Sequence, residues 1–164
     1  MNLCKDCIDK SELCNNCKEK LDSGLLTKEE IDVLQALNEI SKESPEIKNI
    51  DIKNIIDVGK IMIFVDYTDL KTMIGQNSKN VKLLADALGK YVRINSMPNS
   101  PKDFVKYLIG DIPIKRINHL YTENGNLYRI VINKFYKDKI KLSKQDFEKN
   151  MQKLTENDIE LIFE

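Results

Sequence analysis

Four cysteines near the start of the chain form its most specific chemical pattern. They are spaced as two Cys-x2-Cys pairs, Cys4 with Cys7 and Cys14 with Cys17, and six residues separate the pairs. Each pair can bring two thiolates to one metal ion, and four thiolates complete the tetrahedral shell that Zn²⁺ prefers. Because four sulfur ligands leave no position for water, we expect a structural zinc ion and not a catalytic one.

Other states of these cysteines stay open. Two disulfide bonds would require an oxidising compartment, an iron–sulfur cluster would use the same four ligands, and the thiols could also remain without metal. The gap Ile8–Leu13 is shorter than the roughly 15 to 20 residues common in zinc ribbons, but it is long enough for a compact turn. Paired Cys-x2-Cys spacing therefore favours zinc among these alternatives.

The second candidate site is the segment Ile74–Val81, which reads Ile-Gly-Gln-Asn-Ser-Lys-Asn-Val. Predicted helices over Asp69–Ile74 and Asn80–Leu88 flank a tight turn at Gly75–Ser78. A turn of this kind between two helices directs backbone N–H groups and a helix N-terminus at a phosphate. Gly75 has no side chain, so a sugar-phosphate backbone can approach it closely.

In this order of elements, the segment resembles the KH RNA-binding domain in its type II arrangement, αββααβ. It is most similar to the second KH domain of the transcription factor NusA, whose motif has the form Ile-Gly-x-x-Gly-x-Asn-Val before an amphipathic helix. Ile74, Gly75, Asn80 and Val81 fit this motif, whereas Ser78 stands at its second glycine. The resemblance implies that the turn clamps about four unpaired nucleotides against the adjoining strand.

The resemblance also implies an RNA-binding surface made of the turn and the basic residues around it. Its members are Ile74, Gly75, Gln76, Asn77, Ser78, Lys79, Lys71, Lys82 and Arg93. We expect Ile74, Val81 and part of the strand Ile61–Val65 to form an apolar floor for the bases. Ser78 is expected to cap the next helix and offer its hydroxyl to a phosphate, although it tolerates positive φ less well than glycine.

Two details of this surface bear on its charge and on its function. Gln76 and Asn77 are uncharged, but five basic residues against one acid lie between Lys71 and Arg93, Lys90 among them. The rival interpretation is a KH fold kept as a scaffold whose turn no longer binds RNA, because a fold alone does not imply a function.

Over nearly its whole length, the chain resembles a family of small archaeal KH proteins described as RNA-binding or NusA-like. The resemblance is strongest at Cys14–Gly24, Ile74–Ile94 and Leu154–Glu164. It implies single-stranded RNA as the partner, in transcription or translation, with RNA polymerase or ribosomal components as protein partners. The alternative is an adaptor of the same machinery whose KH turn is vestigial.

A third candidate is the segment Lys134–Lys144, which contains five lysines, one aspartate and the pair Phe135-Tyr136. Lysines with aromatic residues between them can follow a nucleic-acid backbone and stack a base. Charged runs are more often solvated surfaces, so we favour a solvated edge with its aromatic rings turned into the core. We interpret His119 as structural, and Tyr121 and Tyr128 as a cross-strand pair beside the predicted hairpin loop Glu123–Asn126.

The elements that position these sites predict an α+β protein of three segments. Residues 1–24 form the zinc knuckle, residues 25–96 the type II KH domain, and residues 101–164 a degenerate KH-like αββ-αβ domain without the glycine turn. Thr27 and Glu30 form a capping box before a helix with Ile31, Leu34, Leu37 and Ile40 on one face. The continuous apolar run Ile61–Val65 predicts a strand covered on both faces.

Composition excludes several classes of protein. Lys and Arg number 26 against 26 Asp and Glu, so the chain is not a histone-like polycation. Its longest apolar run, Ile61–Val65, is too short to span a membrane, and Met1–Asp6 has no apolar core typical of a secretory signal. We therefore expect a cytoplasmic protein without a membrane partner.

Catalytic motifs are absent from the sequence. It has no Walker-type phosphate loop, no His-Glu-x-x-His and no Gly-x-Ser-x-Gly. With one histidine, and with four cysteines assigned to a metal, few nucleophile–base combinations remain. We therefore expect a binding protein and not an enzyme.

Overall fold

A computed structural model describes residues 3–164, which fold as two units of mixed α and β structure. The first unit ends at Met97 and the second runs from Pro98 to Glu164. Within the described residues there are seven α-helices and two three-stranded sheets, so the α+β class predicted from the sequence is confirmed. Met1 and Asn2, the first residues of the predicted 1–24 module, lie outside the described residues.

The first unit holds the cysteine-rich segment and the helices and strands around the glycine turn. In chain order its elements are α1 (Lys5–Ile8), α2 (Asn15–Asp22), α3 (Lys28–Ile40), β1 (Ile52–Asp57), β2 (Ile61–Val65), α4 (Leu70–Ile74), α5 (Lys79–Leu88) and β3 (Val92–Ser96). The central strand β2 pairs antiparallel with β1 and parallel with β3. All five residues of β2 are at most 3% exposed, which confirms the prediction from the continuous apolar run.

Helix α3 begins at the predicted capping box. The Glu30 N–H donates to Thr27 Oγ1 at 3.2 Å, and the Thr27 N–H donates to the Glu30 carboxylate at 2.8 Å. Such a cap typically contributes about 1 kcal/mol to helix stability. Leu37 and Ile40 on its inner face join the core of the sheet, so α3 covers the β-sheet as its periodicity predicts.

The second unit repeats the sheet pattern of the first. Its elements are α6 (Pro101–Ile109), β4 (Ile114–Thr122), β5 (Gly125–Ile132), α7 (Lys144–Thr155) and β6 (Asp158–Phe163). The central strand β5 pairs antiparallel with β4 and parallel with β6. The core of the second unit contains four buried side chains among others: Phe104, Phe147, Ile130 and Leu161.

The hairpin of the second unit differs from its prediction in register. Thr122 pairs with Gly125, so the loop is only Glu123-Asn124, and the predicted loop Glu123–Asn126 is wrong. Gly125 adopts a φ of +128° and lets the pairing continue to the turn. A loop that is shorter by two residues changes every cross-strand partner of the hairpin.

The predicted pair of Tyr121 with Tyr128 is wrong for the same reason. Tyr128 lies opposite His119, and their rings stack with centroids 4.6 Å apart and an interplanar angle of 16°. Tyr121 lies opposite Asn126, and its ring also contacts that of His119, with centroids 4.6 Å apart. His119 therefore has aromatic partners that sequence reasoning did not find.

Within residues 3–164 no helix is both long and apolar enough to cross a lipid bilayer. The longest, α3, has 13 residues, whereas a transmembrane helix needs about 20 apolar residues.

Candidate metal centre and nucleic-acid interface

The four cysteine sulfurs converge on one point. Their Sγ atoms all lie within 4.8 Å of one another, and Cys4 Sγ is 3.9 Å from Cys14 Sγ. A tetrahedral site with metal–sulfur bonds of about 2.3 Å has sulfur–sulfur edges of about 3.8 Å. The four cysteines are free of disulfide bonds, and their spacing fits one four-coordinate metal ion.

Two copies of the same local structure bring these sulfurs together. Cys4 and Cys14 each precede a short helix in extended conformation, with φ/ψ of −77°/157° and −66°/163°. Cys7 and Cys17 then lie in the first turns of α1 and α2, at the helix ends where backbone N–H groups are unsatisfied. The Cys14 N–H donates to Cys7 Sγ at 3.2 Å, a contact that favours the thiolate form needed for metal binding.

The four thiols lie close enough to shift the pKa values of one another. The backbone N–H of Cys14 lowers the pKa of Cys7, but burial and hydrogen bonds with the other thiols raise that pKa to about 12. The backbone N–H of Cys17, followed by hydrogen bonds from Cys7 and Cys17, lowers the pKa of Cys14 to about 7. Four thiolates this close need a cation to balance their charge, and a divalent metal ion would supply it.

Helix α3 holds the cysteine cluster through two polar side chains. Gln35 Nε2 donates to the carbonyl oxygens of Cys7, at 3.0 Å, and of Lys10, at 2.8 Å. Asn38 Nδ2 donates to Asp9 Oδ1 at 2.5 Å. Sequence reasoning missed these residues because more than 20 positions separate Gln35 and Asn38 from the carbonyl oxygens and the Asp9 carboxylate to which they donate, and no motif connects the two segments.

The predicted tight turn is present between α4 and α5. Gly75 has φ +76° and ψ 167°, and Asn77 and Ser78 follow in left-handed conformation with φ of 53° and 59°. A Cβ atom at Gly75 would lie only 2.8 Å from Asn80 Nδ2 and 3.3 Å from the Asn80 backbone nitrogen. Glycine is therefore required at position 75 both for its φ and for space.

Asn80 connects the two helices from beneath the turn. Its side chain is 1% exposed, and Nδ2 donates to the Thr72 carbonyl oxygen of α4 at 3.2 Å. Its buried Oδ1 has no hydrogen-bond partner in the part of the chain that is described. Asn80 belongs to the motif at Ile74–Val81, but its positioning role was not evident from the sequence.

The expectation that Ser78 caps α5 with its side chain is wrong. A capping side chain requires extended backbone at the cap position, whereas Ser78 is left-handed with φ 59° and ψ 30°. Among the described residues, no side chain caps this helix. Main-chain groups of the turn take part in the start of the helix: the Ser78 N–H donates to the Gly75 carbonyl oxygen at 3.2 Å, and the Lys79 N–H donates to the Gln76 carbonyl oxygen.

The other predicted RNA-binding residues lie at the surface around this turn. Ile74 and Gly75 are half-buried. The remaining members of the set are exposed: Gln76, Asn77, Ser78, Lys79, Lys71, Lys82 and Arg93. Lys71, Lys79 and Lys82 form no ion pair within residues 3–164. Lys90 adds little positive charge here because it is paired with Asp57.

The predicted apolar floor is wrong where it involves β2. The side chains of Ile61–Val65 are at most 3% exposed, so none can meet a base. Ile74 and Val81 pack against the core. Strand β2 is the central strand, and its side chains are covered on both faces by the same packing that the continuous apolar run predicts.

The segment from Lys134 also differs from its prediction. Residues Lys134–Lys139 form a 3₁₀ turn, and Phe135 is 69% exposed although a buried orientation was expected. Tyr136 beside it is half-buried. The Phe135 ring therefore lies at the surface of the second unit, whereas the Tyr136 residue is only partly exposed.

No protein-family model and no curated protein matches this chain. Among solved structures, it is similar to the crystal structure of APE1850, with a TM-score of 0.51 and 18% sequence identity over 79% of this chain and 96% of that chain. At this identity the similarity concerns the fold alone. The sites described above therefore have to be argued from their own geometry.

Proposed function

We propose that the first unit is a type II KH domain and that the protein binds single-stranded RNA, without catalysis, through the turn Gly75–Ser78. The observation that carries the proposal is the tight turn itself, which has positive φ at Gly75, Asn77 and Ser78 and leads directly into α5, a helix without a side-chain cap. The order of elements from α3 to β3, one helix, two strands, two helices and one strand, supports it.

The RNA backbone would be held mainly by main-chain groups. The dipole of α5 would attract a phosphate to the helix N-terminus, and the missing side chain at Gly75 would permit its close approach to the main chain. Lys71, Lys79 and Lys82, together with Arg93, would add positive charge along the strand. Because much of this attraction is electrostatic, the affinity would fall steeply as salt is raised.

We further propose that Cys4, Cys7, Cys14 and Cys17 hold a structural Zn²⁺ ion. Four sulfurs and no open coordination position suit a structural role, and the Gln35 hydrogen bonds would attach the loaded cluster to α3. Metal analysis of the purified protein should find one zinc per chain. One iron–sulfur cluster, seen as iron and visible absorption, would contradict the assignment.

The place of the protein in the cell is proposed from the resemblance to small archaeal, NusA-like KH proteins. On that basis it acts in the cytoplasm in transcription or translation, close to RNA polymerase or ribosomal components. The rival proposal is an adaptor of the same machinery that binds protein and not RNA.

Fluorescence anisotropy with short single-stranded RNAs tests the proposal. The variant Gln76→Glu with Asn77→Asp replaces two exposed amides by carboxylates of the same shape, and Asp tolerates the left-handed conformation at position 77. Each charge near a phosphate is worth about 1 kcal/mol in water, so we expect affinity to fall about ten- to thirtyfold at low salt.

The matched control is Asn124→Asp with Asn126→Asp in the exposed hairpin of the second unit. It adds the same two negative charges outside the segment Ile74–Val81 and should change the affinity less than about twofold. Equal losses in both variants would mean that only net charge matters. No binding by the wild type would favour the adaptor.

A further inference from the structure

The segment Asn133–Ser143 takes the same topological place in the second unit as the glycine turn takes in the first. In each unit, the chain leaves a central strand, passes through a connecting segment, and enters the helix that leads to the parallel edge strand. The first connection contains α4 and Gly75–Ser78. The second contains the 3₁₀ turn Lys134–Lys139 and has no glycine.

The backbone of this second connection is fixed by its own hydrogen bonds. Asn133 Oδ1 accepts from the Phe135 N–H at 2.9 Å, and the Asn133 carbonyl oxygen accepts from the Tyr136 N–H at 2.9 Å. The Lys134 N–H donates to the Glu164 carbonyl oxygen at 2.8 Å. These bonds hold the conformation that places Phe135 at the surface.

Phe135 is far more exposed than the phenylalanines of the two cores. It is 69% exposed, whereas Phe64, Phe104 and Phe147 are at most 6% exposed. Lys139 Nζ lies 4.6 Å from the Phe135 ring centroid and 5.3 Å from that of Tyr136, and the two rings meet edge to face. The ring is therefore oriented by its neighbours while most of its surface remains accessible.

The lysines around this ring keep their charge available. Lys134, Lys137, Lys139 and Lys141 make no ion pair with a carboxylate in residues 3–164, whereas Lys144 approaches Glu148 at 3.7 Å. Asp138 is the one acidic residue between Lys134 and Lys144. The segment thus combines an oriented aromatic ring with several cations that no carboxylate neutralises.

We propose that this surface, formed by Phe135 and the lysines Lys134, Lys137, Lys139 and Lys141, is a second contact for single-stranded RNA. A base stacks on the Phe135 ring while the lysines attract the adjoining phosphates. A nucleotide supplies both the flat ring and the negative charge that this surface matches. An anionic membrane would need several apolar side chains, and an acidic peptide does not carry a flat ring next to every charge as a nucleic acid does. The choice of RNA rests on the function proposed above.

The variants Phe135→Ala and Phe135→Leu test the stacking contact in the full-length protein. Anisotropy with single-stranded RNA should show a five- to thirtyfold loss for alanine, as expected for one lost base stack. Leucine keeps an apolar side chain but cannot stack, so it should lose nearly as much. Tyr91→Ala is the matched control, because Tyr91 is 68% exposed, follows the C-terminal end of α5 and should change affinity less than about twofold.

The lysines are tested by the salt dependence of the same binding reaction. Lys137→Gln with Lys141→Gln removes two of the charges that no carboxylate neutralises. It should reduce the slope of log affinity against log salt by about 1.4, the value for two contacts on a single strand. A loss of affinity with no change in slope would contradict phosphate contacts by these lysines.

The outcomes separate this inference from the proposed function. If the Gln76→Glu/Asn77→Asp variant loses binding while Phe135→Ala binds like the wild type, the second contact is overturned and the glycine turn stands. If only Phe135→Ala loses binding, the second contact stands and the turn is not the site. The second contact is wrong if the wild type does not bind RNA. It is also wrong if Phe135→Ala leaves RNA binding unchanged and weakens only the binding of the protein to phosphatidylserine vesicles. Circular dichroism checks that each variant is folded.

Discussion

Each unit has a connection between its central strand and the helix that precedes its parallel edge strand: β2 to α5 in the first unit and β5 to α7 in the second. The two connections present different chemical groups. In the first unit, α5 follows the positive-φ turn Gly75–Ser78 and has no side-chain cap. In the second, Ser143 Oγ accepts from the Asp146 N–H at 3.1 Å and caps α7. The first connection therefore presents an anion with a helix N-terminus that no side chain caps, whereas the second offers it mainly side-chain ammonium groups.

The two connections also differ in how their backbones are stabilised. Asn77 and Ser78 are consecutive non-glycine residues in left-handed conformation, which typically costs about 1–2 kcal/mol per residue. The second connection is held by the Asn133 cap and by the Glu164 carbonyl. The comparison teaches that one strand arrangement can present either a strained main-chain site or a relaxed side-chain site. Each of the predictions below would break or sharpen this contrast.

Metal removal should produce the largest difference between the units. A strong chelator, or Cys17→Ser at a fully buried ligand position, should destabilise the first unit by more than about 3 kcal/mol, because metal binding contributes directly to folding. Hydrogen exchange resolved along the chain should show faster exchange in α3, which carries Gln35, while β5 keeps its protection. Readdition of zinc is the control, and equal loss of protection in both units would contradict the prediction.

Alanine at Gly75 should have the next largest effect. Gly75 and Gly110 both end helices with nearly equal φ, +76° and +73°, but a methyl group at Gly75 would contact Asn80, whereas one at Gly110 would meet no atom within 4 Å. Gly110→Ala should cost about 1–2 kcal/mol from the backbone alone. Gly75→Ala should cost about 1–2 kcal/mol more, because the methyl group displaces Asn80 from its bond to Thr72.

Thermal or urea unfolding of the two alanine variants measures this difference. Equal destabilisation would mean that Asn80 moves freely and does not hold the turn. The same steric conflict would make Gly75→Asp a poor probe of RNA binding, because this substitution would disturb the fold and add a negative charge at the same time.

Much of the fold and part of the candidate site follow from local sequence signals. The capping box of Thr27 and Glu30, the buried run Ile61–Val65 and the convergence of the four cysteines are predicted by local patterns, and each is confirmed. These features depend on residues only a few positions apart or on the simple burial of an apolar run. The position of the turn at Gly75 could be predicted for the same reason.

The wrong predictions concern backbone geometry and side-chain contacts that a short sequence pattern does not determine. The hairpin register depends on a turn of two residues in place of four, which places His119 opposite Tyr128. Ser78 is a good cap by residue type, but its left-handed backbone at the end of the turn differs from the extended conformation typical of a capping serine. Phe135 was expected in the core by its hydrophobicity, whereas Asn133 and Lys139 keep it at the surface.

Glycine at position 78 should give the smallest effect, and it tests whether the turn is strained. Ser78→Gly removes the cost of a left-handed serine, about 1–2 kcal/mol, but adds freedom to the unfolded chain worth about 0.4–1 kcal/mol. We expect a net gain of about 0.5–1 kcal/mol in the free energy of unfolding, measured in urea. Glu156→Gly is the matched control in the second unit, because Glu156 is exposed with φ 56° after α7, and it should gain a similar amount. RNA affinity should stay within about twofold for Ser78→Gly if main-chain donors hold the phosphate, whereas a loss of about fivefold or more would assign that contact to the serine hydroxyl.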